Sequence, residues 1–285
     1  MKASDLLRRG TDTLERSPAI DHWQRDREEI EAEQLLLYVL GTDRVDPDLD
    51  VSAREVRRFD AAIRRRATGE PVQLITGTAE FRGLELIATP GVFVPRDSTE
   101  FLAIQAVRRL QRRRRPVAVD VATGGGAVAL AVKNEARGAR VYGSDVSARA
   151  VSVAKRNADR LHLKVTFVRG DLFGALPGDL KGRVDVVTFH PPYVPVKEIH
   201  DLPDEVRKFE PLHTLTDRSE DGLGLIERAA REGGTWLRPG GWLLIEVSPD
   251  RAREVGRILR ANGYRGVAST KGGELKVTRV IVGRR

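Results

Sequence analysis

Short apolar runs alternate with helix-period segments from Pro116 onward, and this alternation limits the possible folds more than any other feature. Strand-length runs lie at Val117–Val121 and Val184–Phe189, and amphipathic segments lie at Ala127–Glu135 and Ala148–Arg160. Consecutive parallel strands need crossover connections of a dozen or more residues, which are usually helices. The pattern therefore predicts an α/β fold with a doubly wound, mostly parallel sheet. The other predicted elements are strands at 140–144, 165–168, 242–247 and 275–282 and helices at 223–237 and 251–262.

The chain before this region has a different pattern. Residues 1–71 carry apolar side chains at helical spacing and predict a small helical domain. Residues 72–94 change to short extended runs separated by glycines, which predict a β-hairpin connector. The α/β domain then covers residues 95–285. The runs of the connector are residues 72–75, 84–88 and 92–94.

Composition excludes several classes of protein. The chain has no cysteine, so it has neither disulfides nor thiolate metal sites, and its five histidines lack metal-ligand spacing. No apolar run approaches the roughly 20 residues that span a bilayer, and the N-terminus lacks the apolar core of a signal peptide. We expect a cytoplasmic protein with no membrane partner and no metal. The arginine run at 112–115 predicts a solvated face, with steering of an acidic partner as the alternative.

A glycine-rich turn follows the first strand of the α/β region. Asp120 ends this strand, and Gly124, Gly125 and Gly126 lead into the next helix, where backbone amides face a bound ligand. The spacing differs from G-x-G-x-x-G, so the turn favours a single nucleoside over a dinucleotide. Asp145 ends the second strand, where a carboxylate can accept hydrogen bonds from both hydroxyls of a ribose.

Two further strands end in residues of chemical interest. Asp171 follows the third strand and either accepts from an adenine amino group or is an ordinary turn aspartate. His190-Pro191-Pro192-Tyr193 follows the fourth strand. Its prolines fix a rigid turn and leave the carbonyls of His190 and Pro191 free to accept from a substrate, beside an aromatic wall at Tyr193.

In combination these features resemble the HemK/PrmC family, the S-adenosyl-L-methionine (SAM)-dependent N5-glutamine methyltransferases of peptide release factors. The resemblance covers nearly the whole chain. It is carried by the 120–126 loop and by Arg64-Arg65-Arg66-x-x-Gly69-Glu70-Pro71, Thr76-Gly77-x-x-Glu80-Phe81-x-Gly83-Leu84, Val94-Pro95-Arg96-x-x-Thr99-Glu100, Ala154-x-x-Asn157-Ala158 and Lys208-Phe209-Glu210-Pro211-Leu212.

The resemblance implies a class I SAM-dependent methyltransferase with a Rossmann-like, seven-stranded, mostly parallel sheet. It also implies S-adenosyl-L-homocysteine as a product and a helical domain that helps to dock the release factor. The residues implied to bind SAM are Phe81, Pro95, Thr99, Glu100, Asp120, Ala122, Thr123, Gly124, Gly126, Asp145, Val146, Asp171, Leu172 and His190. For Phe81 and Pro95, packing in the core is an equal alternative. The residues implied to bind the methyl acceptor are His190, Pro191, Pro192, Tyr193, Phe209 and Glu210, of which His190, Pro191 and Tyr193 are the catalytic candidates.

The main departure from the family is His190, which stands where the family has Asn. The family's Asn oxygen and the next Pro carbonyl accept the two hydrogens of the target amide, whereas a neutral imidazole offers one acceptor. Two smaller departures are Ala122, which replaces a glycine and is tolerable if its φ is negative, and Asp97, which replaces a proline and can face solvent. We expect Arg96 and Glu100 to form a structural pair at least as readily as they contact a ligand.

Three hypotheses for His190 stay open. It is an adapted acceptor in a glutamine methyltransferase, or a base for a small amine, acid or alcohol, or part of a non-catalytic protein that binds SAM and a partner. A nucleic acid ranks below these as a substrate, because the chain shows no target-recognition domain.

Overall fold

The computed structural model describes residues 1–21, 27–111, 113–272 and 278–285. They form two compact units, of which the first contains Met1–Thr78, Ala88–Pro90 and His200–Glu210 and the second contains Ala79–Ile87, Gly91–Ile199 and Pro211–Arg285. His22, Arg112 and residues 275–277 of the predicted last strand lie outside the described residues. Arg113, Arg114 and Arg115 are exposed, as a solvated run requires. In the described part of the chain, every helix is too short or too polar to cross a membrane.

Helices and strands follow one another in chain order. The helices are α1 (Ala3–Glu15), α2 (Arg27–Leu40), α3 (Ala53–Ala67), α4 (Val72–Thr76), α5 (Glu100–Leu110), α6 (Ala127–Glu135), α7 (Ala148–Arg160), α8 (Asp204–Arg207), α9 (Leu212–Leu215), α10 (Gly224–Trp236) and α11 (Ala252–Ala261). The strands are β1 (Thr78–Phe81), β2 (Leu84–Ile87), β3 (Val117–Val121), β4 (Arg140–Asp145), β5 (Val165–Arg169), β6 (Val184–Phe189), β7 (Leu237–Val247), β8 (Arg265–Gly272) and β9 (Thr278–Arg284).

The first unit is built on α1, α2 and α3. A capping box starts α3, because the Ser52 side chain accepts from the Glu55 backbone and the Glu55 side chain accepts from Ser52. Gly10 lets α1 approach α3 closely, since a Cβ there would lie 2.7 Å from Phe59 Cζ. The core of this unit consists of buried apolar side chains from these helices, including Leu6, Leu14, Leu35, Leu36, Phe59 and Ile63.

A buried arginine joins the helices of the first unit to its last segment. Arg66 of α3 is fully buried and donates to Glu31 of α2 over 2.7 Å and to Glu205 of α8 over 2.9 Å. Arg27 donates to both of these carboxylates as well. Since each charge is compensated by a partner of opposite sign, the network can be buried without free charge.

The prediction of an extended run at 72–75 is wrong, because Val72–Thr76 forms α4. Pro71 precedes the helix and Gly77 ends it at φ +81, the usual arrangement of proline and glycine at helix ends. Val72 and Ile75 are buried in the helical core, so tertiary packing overrides the extended preference of β-branched residues. Of the other connector runs, 84–88 matches β2, whereas 92–94 is not a strand.

The second unit contains a seven-stranded sheet in the order β5-β4-β3-β6-β7-β9-β8. The first five strands of this order are parallel, and β9 pairs antiparallel with both β7 and β8. Strand β8 was not predicted, since its sequence is polar and rich in small residues. The α/β fold with a mostly parallel sheet is confirmed.

Helices cover both faces of this sheet. One face packs against α5, α6 and α7 and the other against α10 and α11, so side chains from alternate strand positions enter different clusters. Strands β3 and β6 are buried at every position, which explains why their sequences read as continuous apolar runs. The parallel strands therefore end together at one edge of a three-layer structure.

We expect Arg66→Ala to lower the free energy of unfolding by about 3–5 kcal/mol, because it leaves Glu31 and Glu205 buried with less compensation. Urea unfolding followed by circular dichroism measures this change. The matched control is Arg65→Ala, since Arg65 is half exposed and its ion pair with Glu70 is worth less than about 1 kcal/mol. Equal losses in both variants would contradict the role given to the buried network.

Candidate active site

The loop between β3 and α6 begins at a buried carboxylate. Asp120 accepts hydrogen bonds from the hydroxyls of Thr123 over 2.6 Å and Thr188 over 2.7 Å. Burial raises the pKa of Asp120 to about 6, and the two hydroxyls oppose this rise. The side chain is therefore held in one orientation and titrates near neutral pH.

Ala122 departs from the expectation of a negative φ, because its φ is +54. An L residue in this left-handed region loses about 1–2 kcal/mol to contacts of its Cβ, and glycine avoids this loss. Gly124 adopts φ +55 in the same loop. Gly126 serves packing, since a Cβ there would lie 2.9 Å from Phe167 Cζ and 3.1 Å from Ala154 Cβ.

The carboxylate at the end of β4 is fixed by the same loop. Asp145 Oδ2 accepts from the Gly124 backbone and Oδ1 from the Ser147 backbone, both over 2.9 Å. The N-cap of α7 is Ser147, whose side chain accepts from Ala150. Asp145 is thus free from helix capping, and each of its oxygens keeps acceptor capacity for a ligand.

The residues after β5 supply the next part of the edge. Asp171 is exposed and forms an ion pair with Arg228 at 2.9 Å. Leu172 is buried at φ +45, and its carbonyl accepts from the Ser144 hydroxyl over 2.5 Å. This contact holds the turn against β4.

The turn after β6 presents an imidazole. His190 Nδ1 lies 3.3 Å from Thr99 Oγ1, and its ring lies 5.7 Å from that of Phe93 and 6.2 Å from that of Tyr193. Burial raises the pKa of Tyr193 to about 12, so its phenol stays protonated at neutral pH. A Cβ on Gly222 would lie 2.1 Å from the Tyr193 carbonyl oxygen, so the backbone behind the turn requires glycine.

These elements line an open cleft in the second unit. The predicted site residues that line it are Phe81, Pro95, Thr99, Asp120, Ala122, Thr123, Gly124, Asp145, Val146, Asp171, Leu172, His190, Pro191 and Pro192. Arg96 and Gly125, which the sequence analysis also considered, line the cleft as well. It assigned no site role to the other lining residues, namely Phe93, Ala127, Val128, Gly170, His213, Thr214 and Leu225.

Some predicted residues have other neighbours. Glu100 is not among the lining residues, and its Oε1 accepts from the Arg82 backbone over 2.7 Å. Arg96 does line the cleft, where it lies over the Phe93 ring, 5.2 Å from its centroid. Gly126 and Tyr193 are not among the residues that line the cleft. Phe209 and Glu210 belong to the first unit, and their role toward an acceptor stays a prediction.

The sequence analysis missed Glu246. This glutamate of β7 is almost fully buried, and its Oε1 accepts from the Thr99 hydroxyl over 3.1 Å. Burial raises its pKa, whereas the charge of His190 and hydrogen bonds from Thr99 and Ser98 lower it. A lone acidic residue inside the apolar run 243–247 was a signal that could have identified it, since an unpaired buried charge is costly. His213 and Thr214 gave no comparable signal.

We expect Ala122→Gly to stabilise the protein by about 0.5–1 kcal/mol, because relief of the left-handed strain exceeds the added entropy of glycine in the unfolded chain. Urea unfolding checks this value. The control is Ala131→Gly in the buried interior of α6, where glycine lowers stability by about 1 kcal/mol or more. Destabilisation by Ala122→Gly would refute the strain at this position.

Comparison with known proteins places this architecture among enzymes. Residues 5–77 match the PrmC N-terminal domain, and residues 83–203 match the methyltransferase small domain. The release factor glutamine methyltransferase of Koribacter versatilis is 36% identical over 90% of this chain and 91% of its own length. That of Streptomyces coelicolor is 39% identical over 79% of each chain.

A solved structure supports the fold. The methyltransferase from Pyrococcus furiosus aligns with 71% of this chain and 89% of its own, at a TM-score of 0.52 and 18% identity. Its likeness, together with the strand order, gives the class I methyltransferase fold. The domain matches and the identity over most of the chain show that the protein belongs to the HemK/PrmC family of release factor glutamine methyltransferases.

Proposed function

We propose that this protein transfers the methyl group of SAM to the side-chain amide nitrogen of a glutamine in a peptide release factor. The observation that carries the proposal is the common edge of β3, β4 and β6, where two carboxylates, a glycine loop and the His190 turn line one cleft. Members of the family at 35–39% identity carry the name of this activity.

The lining fits SAM by its chemistry. SAM carries two positive groups, a sulfonium and an ammonium. Asp120 and Asp145 both line the cleft, and their carboxylates supply negative charge that attracts such groups. Asp145 retains acceptor capacity for the ribose hydroxyls, as the loop contacts fix its orientation. Val146 is half exposed beside it, and Leu172 lines the same wall, so an adenine can lie against apolar surface.

Orientation of the acceptor nitrogen supplies most of the catalysis in this reaction. An amide nitrogen is a weak nucleophile, so aligning it with the methyl carbon and excluding water supply much of the rate enhancement. The carbonyls of the His190-Pro191 turn and the imidazole provide acceptors for the amide hydrogens. SAM supplies an electrophilic methyl group, and the chain supplies the acceptors that orient the nitrogen.

We assign docking of the release factor to the helical domain 1–71, which the connector 72–94 joins to the methyltransferase domain at 95–285. The reaction then takes place in the cytoplasm, where release factors act.

A second candidate function follows from His190 itself. An imidazole can remove a proton from a small amine, acid or alcohol, which the family's asparagine cannot do.

We expect wild type to label unmodified release factor with tritiated SAM, and a glutamine-to-alanine variant of the factor to stay unlabelled. His190→Ala should lower the rate about 10²–10³-fold, because one acceptor for the amide is lost, while the Kd for SAM stays within a few fold. His190→Asn is the matched variant that restores the family's residue and should retain activity. Full activity in His190→Ala would remove His190 from the mechanism.

The other outcomes separate the remaining hypotheses. Activity only in His190→Asn would mean that the scaffold docks the factor and that wild type uses a different acceptor. Silence from both with SAM bound would favour a small molecule or a protein without turnover. Steep salt dependence of binding to RNA or DNA would instead point to a nucleic acid.

We expect the affinity for SAM to rise with pH between about 5 and 7. Asp120 is largely protonated below its pKa of about 6 in the free protein, and the positive charge of the ligand favours the ionised form. Calorimetric titration at a series of pH values measures the change. Asp120→Asn is the control, and its pH profile should be flatter than that of wild type. Identical profiles would contradict a role for Asp120 in holding the ligand's positive end.

A further inference from the structure

We propose that Glu246 is a positioning residue that acts on the methyl acceptor through Thr99 and His190. The proposal rests on the proposed function and adds a buried carboxylate that the sequence motifs do not include. Glu246 and Thr99 keep one proton on His190 Nδ1. The other ring nitrogen, Nε2, then carries the lone pair that faces the amide of the methyl acceptor.

The sheet brings the three residues together. Strands β6 and β7 are parallel neighbours, and Phe189 is paired with Ile245. The next residues along the two strands are His190 and Glu246. Thr99 ends the turn before α5, and its hydroxyl lies 3.3 Å from His190 Nδ1 and 3.1 Å from Glu246 Oε1.

The single proton of Thr99 sets the direction of this chain. When Glu246 is ionised, the hydroxyl donates its proton to the carboxylate. The 3.3 Å contact to His190 is then a hydrogen bond only with the proton on Nδ1. In the neutral ring, Nε2 is therefore the unprotonated nitrogen. This tautomer gives the turn an acceptor where the family has the oxygen of an asparagine.

Burial makes the carboxylate effective at this distance. Glu246 is 1% exposed and Thr99 is 6% exposed, so water does not screen the link between them. The carboxylate interacts with the Thr99 and Ser98 side chains, with the imidazole and with the Tyr193 phenol. A positive charge on the imidazole is the natural partner for this buried negative charge.

The methyl-transfer step then balances. The amide nitrogen forms a bond to the methyl carbon, the bond from carbon to sulfur breaks, and its electron pair stays on the sulfur. The nitrogen loses one proton, which Nε2 of His190 accepts. The products are the methylated amide, S-adenosyl-L-homocysteine and an imidazolium whose Nδ1 proton faces Thr99 and, beyond it, Glu246. This arrangement follows the logic of a catalytic triad, with a hydroxyl between the carboxylate and the histidine.

The first test measures the tautomer of His190 and needs no acceptor. Histidine-¹⁵N NMR of the protein with S-adenosyl-L-homocysteine should show Nδ1 protonated, with the signal assigned by its loss in His190→Asn. Thr99→Val removes the bridging hydroxyl at nearly constant shape and should shift the ring toward the Nε2-protonated form. The His213 signal, from the same cleft, serves as the internal control and should not change. An Nε2-protonated ring in wild type would overturn the proposal.

The second test measures how much the negative charge of Glu246 contributes to kcat. Glu246→Gln keeps a group that can accept from Thr99 but removes the negative charge, so we expect kcat on the release factor to fall about 10–100-fold with KM within about twofold. In a His190→Asn background the same substitution should change kcat less than about threefold, because asparagine takes no proton. Equal losses in both backgrounds would show a structural role and overturn the proposal.

The two tests fail separately. If wild type does not methylate the release factor, the proposed function fails, but the NMR measurement still decides whether Glu246 and Thr99 hold the Nδ1 proton. If methylation occurs and the tautomer is wrong, the proposed function stands and the role of Glu246 is lost.

Discussion

The site depends on the parallel pairing of β3, β4, β6 and β7, because parallel strands deliver their carboxyl ends to the same edge. A residue just past each strand, or at its end, then meets the others without a long loop. Side chains buried along the whole length of β3 and β6 fix the register, and a slip of one residue would turn each side chain to the other face. Apolar packing along the strands therefore fixes the positions of the functional residues at the edge, several residues away.

Several features of the site lower the stability of the protein. Asp120 is buried with a raised pKa, Ala122 holds a left-handed backbone, and the Glu246 carboxylate is almost fully buried. Each feature lowers the free energy of unfolding, and each lies in the loops and strand ends around one cleft. The surrounding sheet, covered by helices on both faces, supplies the apolar burial that offsets these losses.

The sequence predicted the regular parts of the second unit well, and the reasons are physical. Helices α6 and α7 have the predicted bounds, because their apolar period and their flanking glycine and serine agree. The family and the fold are confirmed. The prediction failed at 72–75, where a five-residue helix depends on packing against other helices, and at β8, whose pairing with β9 depends on its partner more than on its own residues. Glu246 was missed because its role depends on contacts with Thr99 and His190, which are distant from it in sequence.

The path of the chain limits how this protein can evolve. The first unit takes Glu205 from a segment that follows β6, so its buried ion network is shared by parts of the gene more than 130 codons apart. A recombination that joins the first 78 codons of one homologue to the remainder of another would combine Arg66 and Glu31 from one parent with Glu205 from the other. Such a chimera keeps the network only when both parents carry matching charges at these positions.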